Sequence, residues 1–97
     1  MRVISKSAII DFSDEHRDAL APLMNWYRIT KGAEWNSLAD VRRDFAHADV
    51  VGRRTVFKIH GNSHRLIARI NYTTKRVFIL HILTYPTRVQ ISSSAWG

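Results

Sequence analysis

The segment TVFKIHGNSHRLIARI, residues 55–70, decides the fold of this chain. β-Branched and aromatic residues on both sides of Gly61-Asn62 predict two antiparallel strands joined by a two-residue turn, with glycine first as a type II′ turn prefers. Because side chains alternate between the faces of a sheet, this turn assigns each residue to one face. One face is nearly all core and carries Phe57, Ile59, His64, Leu66, Ala68 and Ile70.

The other face of the same hairpin carries two like-charged pairs, Lys58 opposite Arg65 and Arg54 opposite Arg69. We call these four residues the basic strip. Like charges in direct opposition across strands destabilise a hairpin by roughly 0.2–1 kcal/mol per pair. A solvated face on which the side chains spread into water would explain the strip, and so would a surface on which Arg and Lys grip phosphate oxygens.

The distribution of charge along the chain favours the phosphate interpretation. The 97 residues carry a formal net charge of +7, and Asp49 is the last acidic residue. Up to Asp49, seven basic residues stand against eight acidic ones, whereas residues 50–97 hold eight basic residues and no acidic one. This asymmetry, at a pI of about 10.6, indicates a polyanionic partner such as nucleic acid, a membrane surface or an acidic protein.

The periodicity of the chain changes between its two halves. A short strand at residues 2–4 is followed by apolar residues at helical spacing, which predict helices over 6–12, 19–31 and 37–45. In residues 50–97, which we call the acid-free half, stretches rich in β-branched and aromatic residues predict strands over 55–60, 64–72 and 77–85. The fold class is therefore α+β, with N-terminal helices packed on a small antiparallel sheet formed mainly by the C-terminal half and joined by the N-terminal strand. Residues 1–91 make one domain, and residues 92–97 are predicted to be a disordered tail.

The ends of these helices carry characteristic residues. Ser5 is placed to cap the first helix, and Gly32 suits the position just after the second. Ser37 and Asp40 resemble a capping box at the start of the third helix.

Composition and hydropathy exclude several classes of protein. The chain has no cysteine, so disulfides and thiolate metal sites are excluded. No apolar run approaches the ~20 residues of a membrane span, and the N-terminus lacks the pattern of a signal peptide. We therefore expect a cytoplasmic protein that does not associate with membranes.

The acid-free half also holds the groups that RNA cleavage requires. Attack by the 2′-hydroxyl needs a base, a cation beside the phosphorane and an acid for the leaving oxygen. Lys58, Arg65 and Arg69 can supply the positive charge, and the candidate proton carriers are His60, His64, His81, Tyr72 and Tyr85. His64 and His81 share the core-side alternation of their strands, which is more typical of a partly buried histidine than of a catalyst.

Two other kinds of site have weaker support. No histidine pair has a metal-site spacing with carboxylate or thiolate support, so the sequence predicts no metal and no cofactor. Trp26, Tyr27 and Trp35 could stack on bases, but their place on and after an amphipathic helix is more typical of core residues.

Several segments of the chain, taken in order, resemble the HigB-type toxins of bacterial toxin–antitoxin pairs, within the RelE-like group. The resemblance covers residues 1–84 and is carried by the order of its segments: MRVIS at 1–5, WYR at 26–28 with Lys31 and Trp35, VFKI at 56–59, GN at 61–62, RLI at 65–67, INY at 70–72, VFI at 77–79 and HILT at 81–84. No single segment is diagnostic, but the ordered set is fairly specific.

The resemblance implies a function and a set of residues. It implies a metal-independent endoribonuclease, an mRNA interferase that cuts mRNA on the ribosome and is silenced by a HigA-type helix-turn-helix antitoxin. RelE-like enzymes use Lys and Arg of the central hairpin, which match Lys58 and Arg65 by position, and further residues near the C-terminus, where Tyr85 is the third predicted catalytic residue. The residues that we expect to bind RNA are Arg53, Arg54, Arg69, Lys75 and Arg76.

The C-terminal segment departs from the family pattern. The family's Thr-His-x-x-Tyr-Asp is TYPTRV here, residues 84–89, so that Tyr85, Arg88 and Val89 replace the His, Tyr and Asp. We therefore hypothesise that cleavage by this copy is impaired. Two other functions remain open at this point: a non-catalytic basic module that binds RNA or an antitoxin, and a toxin of the same scaffold directed at another target such as DNA gyrase.

Overall fold

The computed structural model describes residues 1–61 and 63–84, which form three α-helices, a short 3-10 helix and five strands. In chain order these are β1 (Arg2–Ile4), α1 (Ser7–Glu15), the 3-10 helix (Arg17–Ala19), α2 (Leu20–Gly32), α3 (Leu38–Asp44), β2 (Asp49–Val51), β3 (Arg54–Ile59), β4 (His64–Asn71) and β5 (Arg76–Thr84). The predicted tail at residues 92–97 lies outside the described residues.

The described strands form one sheet in the order β1-β5-β4-β3-β2. Strands β2 to β5 make an antiparallel meander, and β1 lies parallel to β5 with Val3 paired to Val77. The predicted α+β class, the meander and the N-terminal strand are confirmed, although the sheet is mixed rather than purely antiparallel. Strand β2 was not predicted, because its three residues are too few to show a strand period.

The helices cover one face of the sheet and bury the apolar set of the hairpin. Phe57 of β3 lies at the centre of this core, with the ring centroids of Trp26, Trp35 and Phe45 at 5.4, 6.3 and 5.2 Å. Trp26 and Trp35 are only 1% and 2% exposed. Both tryptophans are therefore core residues and cannot stack on bases. Each such aromatic contact contributes about 0.5–1.5 kcal/mol beyond the buried area.

Two helix starts differ from the prediction. Ser5 has a φ of 78° and does not cap a helix with its side chain; α1 begins at Ser7 and extends to Glu15 rather than ending at residue 12. At α3, Ser37 is the N-cap residue but makes no side-chain cap bond. The carboxylate of Asp40 instead accepts the backbone N–H of Asn36 at 2.9 Å, which satisfies a donor at the helix start by another route.

The C-terminal end of α2 also differs. Gly32 is the last residue of the helix rather than the one after it, and Ala33 follows in an extended conformation. The terminal ammonium group of Met1 donates to the carbonyl of Lys31, at 3.4 Å, and to that of Ala33. Because an ammonium group satisfies carbonyls at this helix end, a left-handed glycine is not needed there.

A β-bulge interrupts the pairing of β4 with β5. Ile67 pairs with His81, whereas the next residue of β4 pairs with Ile79, so Leu80 is the extra residue. The bulge shifts the alternation of β5: Ile79 is buried before it, and Ile82 packs against the core after it. His81 is exposed and faces away from the core. The prediction that His81 shares the core-side alternation is therefore wrong, because a bulge reverses the parity of the residues beyond it.

Candidate functional site

The hairpin that joins β3 to β4 has the predicted register. Lys58 pairs with Arg65, and the backbone N–H of Ser63 donates to the carbonyl of His60 at 3.1 Å. Gly61 has a φ of 62°, which a glycine adopts without strain. Asn62 lies outside the described residues. The structure therefore confirms that two cations face each other across the hairpin.

The face of the sheet opposite the helices carries the side chains that alternate with the core set, and we call it the open face. Across β3, β4 and β5 its rows are Lys58–Arg65–Leu83, then Val56–Ile67–His81, then Arg69 with Phe78. Ile67, at the centre of this face, is an apolar residue that is only 1% exposed. The open face thus combines cations with apolar and aromatic side chains, the composition typical of a surface that binds single-stranded nucleic acid.

The second pair of the basic strip lies just beyond the paired segment of β3 and β4. The paired residues of β3 and β4 end at Thr55 and Ala68. Arg54 and Arg69 therefore lie one residue beyond the last pair, on the open face by alternation. Arg54 is also opposite Val51 of the edge strand β2.

The far end of the open face holds a like-charged pair that the sequence did not reveal. Arg76 of β5 pairs with Asn71 on one side and with Arg2 of β1 on the other. Arg2 belongs to the half of the chain whose charges are balanced, so composition gave no reason to select it. Only the parallel pairing of β1 with β5 brings it beside the acid-free half.

Six described basic residues therefore occupy the open face: Arg2, Arg54, Lys58, Arg65, Arg69 and Arg76. The acidic residue Asp49 lies at its edge on β2, opposite Val56, and pairs with Arg42 at 3.7 Å. The open face is strongly positive because this acid is peripheral and already has a cationic neighbour.

The remaining predicted RNA-binding residues lie in turns. Arg53 is exposed in the turn between β2 and β3. Lys75 lies in the turn between β4 and β5 with a φ of 60°, and its ammonium donates to the carbonyl of Trp35 at 3.0 Å and to the side chain of Asn36. Lys75 thus ties the sheet to the connection between α2 and α3, and RNA contacts by these two residues stay predictions.

The predicted proton carriers separate into different environments. His81 lies on the open face, diagonal to Arg65, a geometry in which Cα atoms are about 7–8 Å apart. Burial raises the pKa of Tyr72, and the charge of Asp40 raises it further. Tyr72 therefore keeps its proton at neutral pH and is a poor base. Tyr85, the predicted third catalytic residue, lies outside the described residues.

His60 and His64 belong to a different cluster. His64 is 3% exposed, as expected from its core-side position, and its Nε2 lies 2.9 Å from Oδ2 of Asp18. Nδ1 of His60 lies 3.1 Å from the same oxygen. The hydrogen bond with His64 lowers the pKa of Asp18 below its usual value; desolvation opposes this effect, and the hydrogen bond with His60 adds to it. Spacing along the chain did not reveal this carboxylate, because it lies 42 and 46 residues from the two histidines.

No helix among the described residues is long and apolar enough to cross a membrane.

Comparison with known proteins places the chain in a family. Residues 19–87 match the model of the HigB toxin family, described as the RelE-like toxic component of a toxin–antitoxin system. Together with the helix-covered sheet and its basic open face, this match defines a RelE-like toxin, and the chain belongs to the HigB toxin family.

A curated relative agrees with this assignment. The mRNA interferase HigB of Escherichia coli O6:H1 is 33% identical over 89 residues, which cover 88% of this chain and 85% of the relative. The resemblance inferred from the order of the sequence segments is thereby confirmed, as is a toxin–antitoxin system as the setting of this protein.

Proposed function

We propose that this protein is an mRNA interferase, a metal-independent endoribonuclease that cuts mRNA on the ribosome and blocks translation. The observation that carries the proposal is the opposition of Lys58 and Arg65 on the open face. Two cations held side by side are suited to a phosphate whose charge increases during the reaction. The name of the relative in Escherichia coli, mRNA interferase HigB, supports the choice of substrate.

The chemistry follows from the groups on this face. The 2′-oxygen of the RNA attacks the adjacent phosphorus to form a phosphorane, and the bond from phosphorus to the 5′-oxygen then breaks, which leaves a 2′,3′-cyclic phosphate. Lys58 and Arg65 stabilise the doubly charged phosphorane between these steps. His81 takes the proton of the 2′-hydroxyl, since histidine is the side chain that most often acts as a general base. Tyr85, as predicted from the family motif, gives a proton to the leaving 5′-oxygen.

The proposed assignment of His81 depends on the bulge at Leu80. Without the bulge, His81 would alternate into the core and Ile82 would face the RNA. An exposed imidazole beside Arg65 also provides a second proton carrier in a chain whose family histidine is replaced by Tyr85. We therefore propose that His81 partly offsets the loss of the family's C-terminal residues.

The same open face accounts for the proposed partners. An antitoxin of the HigA helix-turn-helix type would silence the toxin by placing an acidic segment over the six basic residues, because charge complementarity favours this surface. Ribosomal RNA offers the same phosphate chemistry, which is consistent with action on ribosome-bound mRNA in the cytoplasm.

The test uses purified full-length protein and ribosomes programmed with a 5′-labelled mRNA. Lys58→Ala and Arg65→Ala are each expected to slow cleavage by about 100-fold or more, the usual effect of removing one group that stabilises a developing negative charge. Arg28→Ala, an exposed arginine on α2, is the matched control and should cleave at the wild-type rate. Wild-type cleavage by both hairpin variants would show that the assignment is wrong. Salt-sensitive RNA binding without cleavage by the wild-type chain would instead identify a non-catalytic binding module.

A further inference from the structure

The cluster of Asp18, His60 and His64 lies apart from the open face and has no role in the proposed cleavage. Asp18 belongs to the 3-10 helix between α1 and α2, His60 follows β3, and His64 begins β4 on the core side of the sheet. Two segments that are distant in sequence, the 3-10 helix and the hairpin, therefore meet at the turn end of the hairpin. The three ligand-type atoms, two imidazole nitrogens and one carboxylate oxygen, all lie within 4.8 Å of one another.

The spacing of these atoms is close to that of a metal site. Zn²⁺ bonds of about 2.0–2.1 Å at tetrahedral angles hold neighbouring ligand atoms about 3.3–3.4 Å apart. Oδ2 of Asp18 lies 2.9 Å from Nε2 of His64 and 3.1 Å from Nδ1 of His60. Around an ion these two separations would widen by about 0.2–0.5 Å, and the two imidazole nitrogens, which lie within 4.8 Å of each other, would take the same spacing. Two histidines and a carboxylate also form a ligand set that zinc and other late transition metals accept.

The surroundings hold the histidine ligands in place and leave one side of the site open. The His64 ring lies edge-on to Phe12 at 5.3 Å and to His16 at 5.5 Å, and Phe12 and His16 are themselves stacked at 4.4 Å. His60 has a φ of 55°, an unfavourable conformation for a residue with a side chain, which persists where the surroundings require it. The side chains of Asp18 and His60 are 51% and 49% exposed, so water can reach the ion as a further ligand.

Without metal, Asp18 accepts an N–H from each imidazole through one oxygen. A divalent ion would replace these two protons and join the same three groups. Nδ1 of His64 is buried without a hydrogen-bond partner among the described groups. A hydrogen-bond partner on the second ring nitrogen of a metal-binding histidine strengthens metal binding by about 10–100-fold. The affinity of this site for the ion should therefore fall below that of a site whose histidine has such a partner.

We propose that Asp18, His60 and His64 bind a divalent transition-metal ion, with Zn²⁺ as the best match. The ion would join the 3-10 helix to the hairpin whose strands carry Lys58 and Arg65. It would thus act as a structural link rather than as part of the cleavage chemistry, and the proposal stands independently of the RNA substrate.

The experiment uses the full-length, untagged protein after treatment with a chelator. Calorimetric titration with ZnCl₂ should show one ion bound per chain, and Co²⁺ should give the visible absorption bands of a tetrahedral site with mixed nitrogen and oxygen ligands. His60→Ala and Asp18→Asn should each weaken binding at least tenfold. His47→Ala removes an exposed histidine outside the cluster and should leave binding unchanged.

Circular dichroism of each variant checks that the fold is intact, and His60→Gln serves as a second variant if His60→Ala unfolds. The proposal is overturned if the wild-type protein binds no Zn²⁺. It is equally overturned if folded His60 variants bind as tightly as the wild type, or if His47→Ala weakens binding as much as they do.

Discussion

Replacing Arg69 and Arg76 together by glutamine should weaken the salt dependence of RNA binding by an amount that the structure predicts. Both residues lie on the open face, where six described basic residues face away from the core. Each phosphate contact with a single strand contributes about −0.7 to the slope of log K against log salt. Six contacts give a slope of about −4.2, so that affinity falls about 300-fold between 50 and 200 mM salt.

The double variant retains four of these contacts. Its slope should be about −2.8, and the loss of affinity over the same range should be about 50-fold. The assay is fluorescence anisotropy with a short labelled RNA in which every 2′-hydroxyl is methylated, because this RNA keeps its phosphates but cannot be cleaved.

The matched control is Arg17→Gln with Arg28→Gln, which removes the same charge from exposed positions of the helical layer. Its slope should equal that of the wild type, since neither residue lies on the open face. If the control changes the slope as much as the open-face variant does, net charge rather than the open face determines RNA binding, and the reasoning is refuted.

Three further predictions concern catalysis and stability. His81→Ala should slow mRNA cleavage about 100-fold or more, the usual contribution of a proton carrier, with an unchanged melting temperature; cleavage at the wild-type rate would remove His81 from the mechanism. Phe57→Ala should lower the free energy of unfolding, measured in urea, by about 3–5 kcal/mol because it empties the aromatic centre of the core. Val56, on the same strand, is only half-buried, so Val56→Ala should lower the free energy of unfolding by clearly less. Equal losses would contradict the packing described here. Restoring the family residues by the triple change Tyr85→His, Arg88→Tyr and Val89→Asp should increase the inhibition of translation, and equal potency would contradict the hypothesis that this copy is impaired.

Local sequence was sufficient to predict the hairpin. The turn at Gly61 sets the pairing of Lys58 with Arg65, because a two-residue loop between alternating strands leaves one register that buries the apolar face. Helix positions followed in the same way from apolar spacing. Their ends were less predictable, since the end of α2 depends on the ammonium group of Met1, which comes from a distant part of the chain.

The features that sequence reasoning missed all depend on long-range pairing. Arg2 reaches the open face only because β1 lies parallel to β5. His81 reaches it only because the register shifts by one residue beside Ile67, and the residues around a bulge need not differ from those of a regular strand. Asp18 meets His60 and His64 because the helical layer packs over the hairpin turn, and no spacing along the chain encodes that contact.

The central claim, that the open face rather than the helical layer contacts mRNA, is tested most directly by site-specific photo-crosslinking. A photoreactive phenylalanine analogue replaces Phe78, which pairs with Arg69 on the open face. In a second protein the analogue replaces Tyr27 on α2, which lies beside Lys6 and Lys31 with their ammonium groups 4.6 and 5.9 Å from its ring. Both positions are half-buried aromatic residues near basic side chains. On ribosomes carrying labelled mRNA, we expect crosslinks from position 78 and none above background from position 27. Crosslinks from position 27 alone would contradict the account.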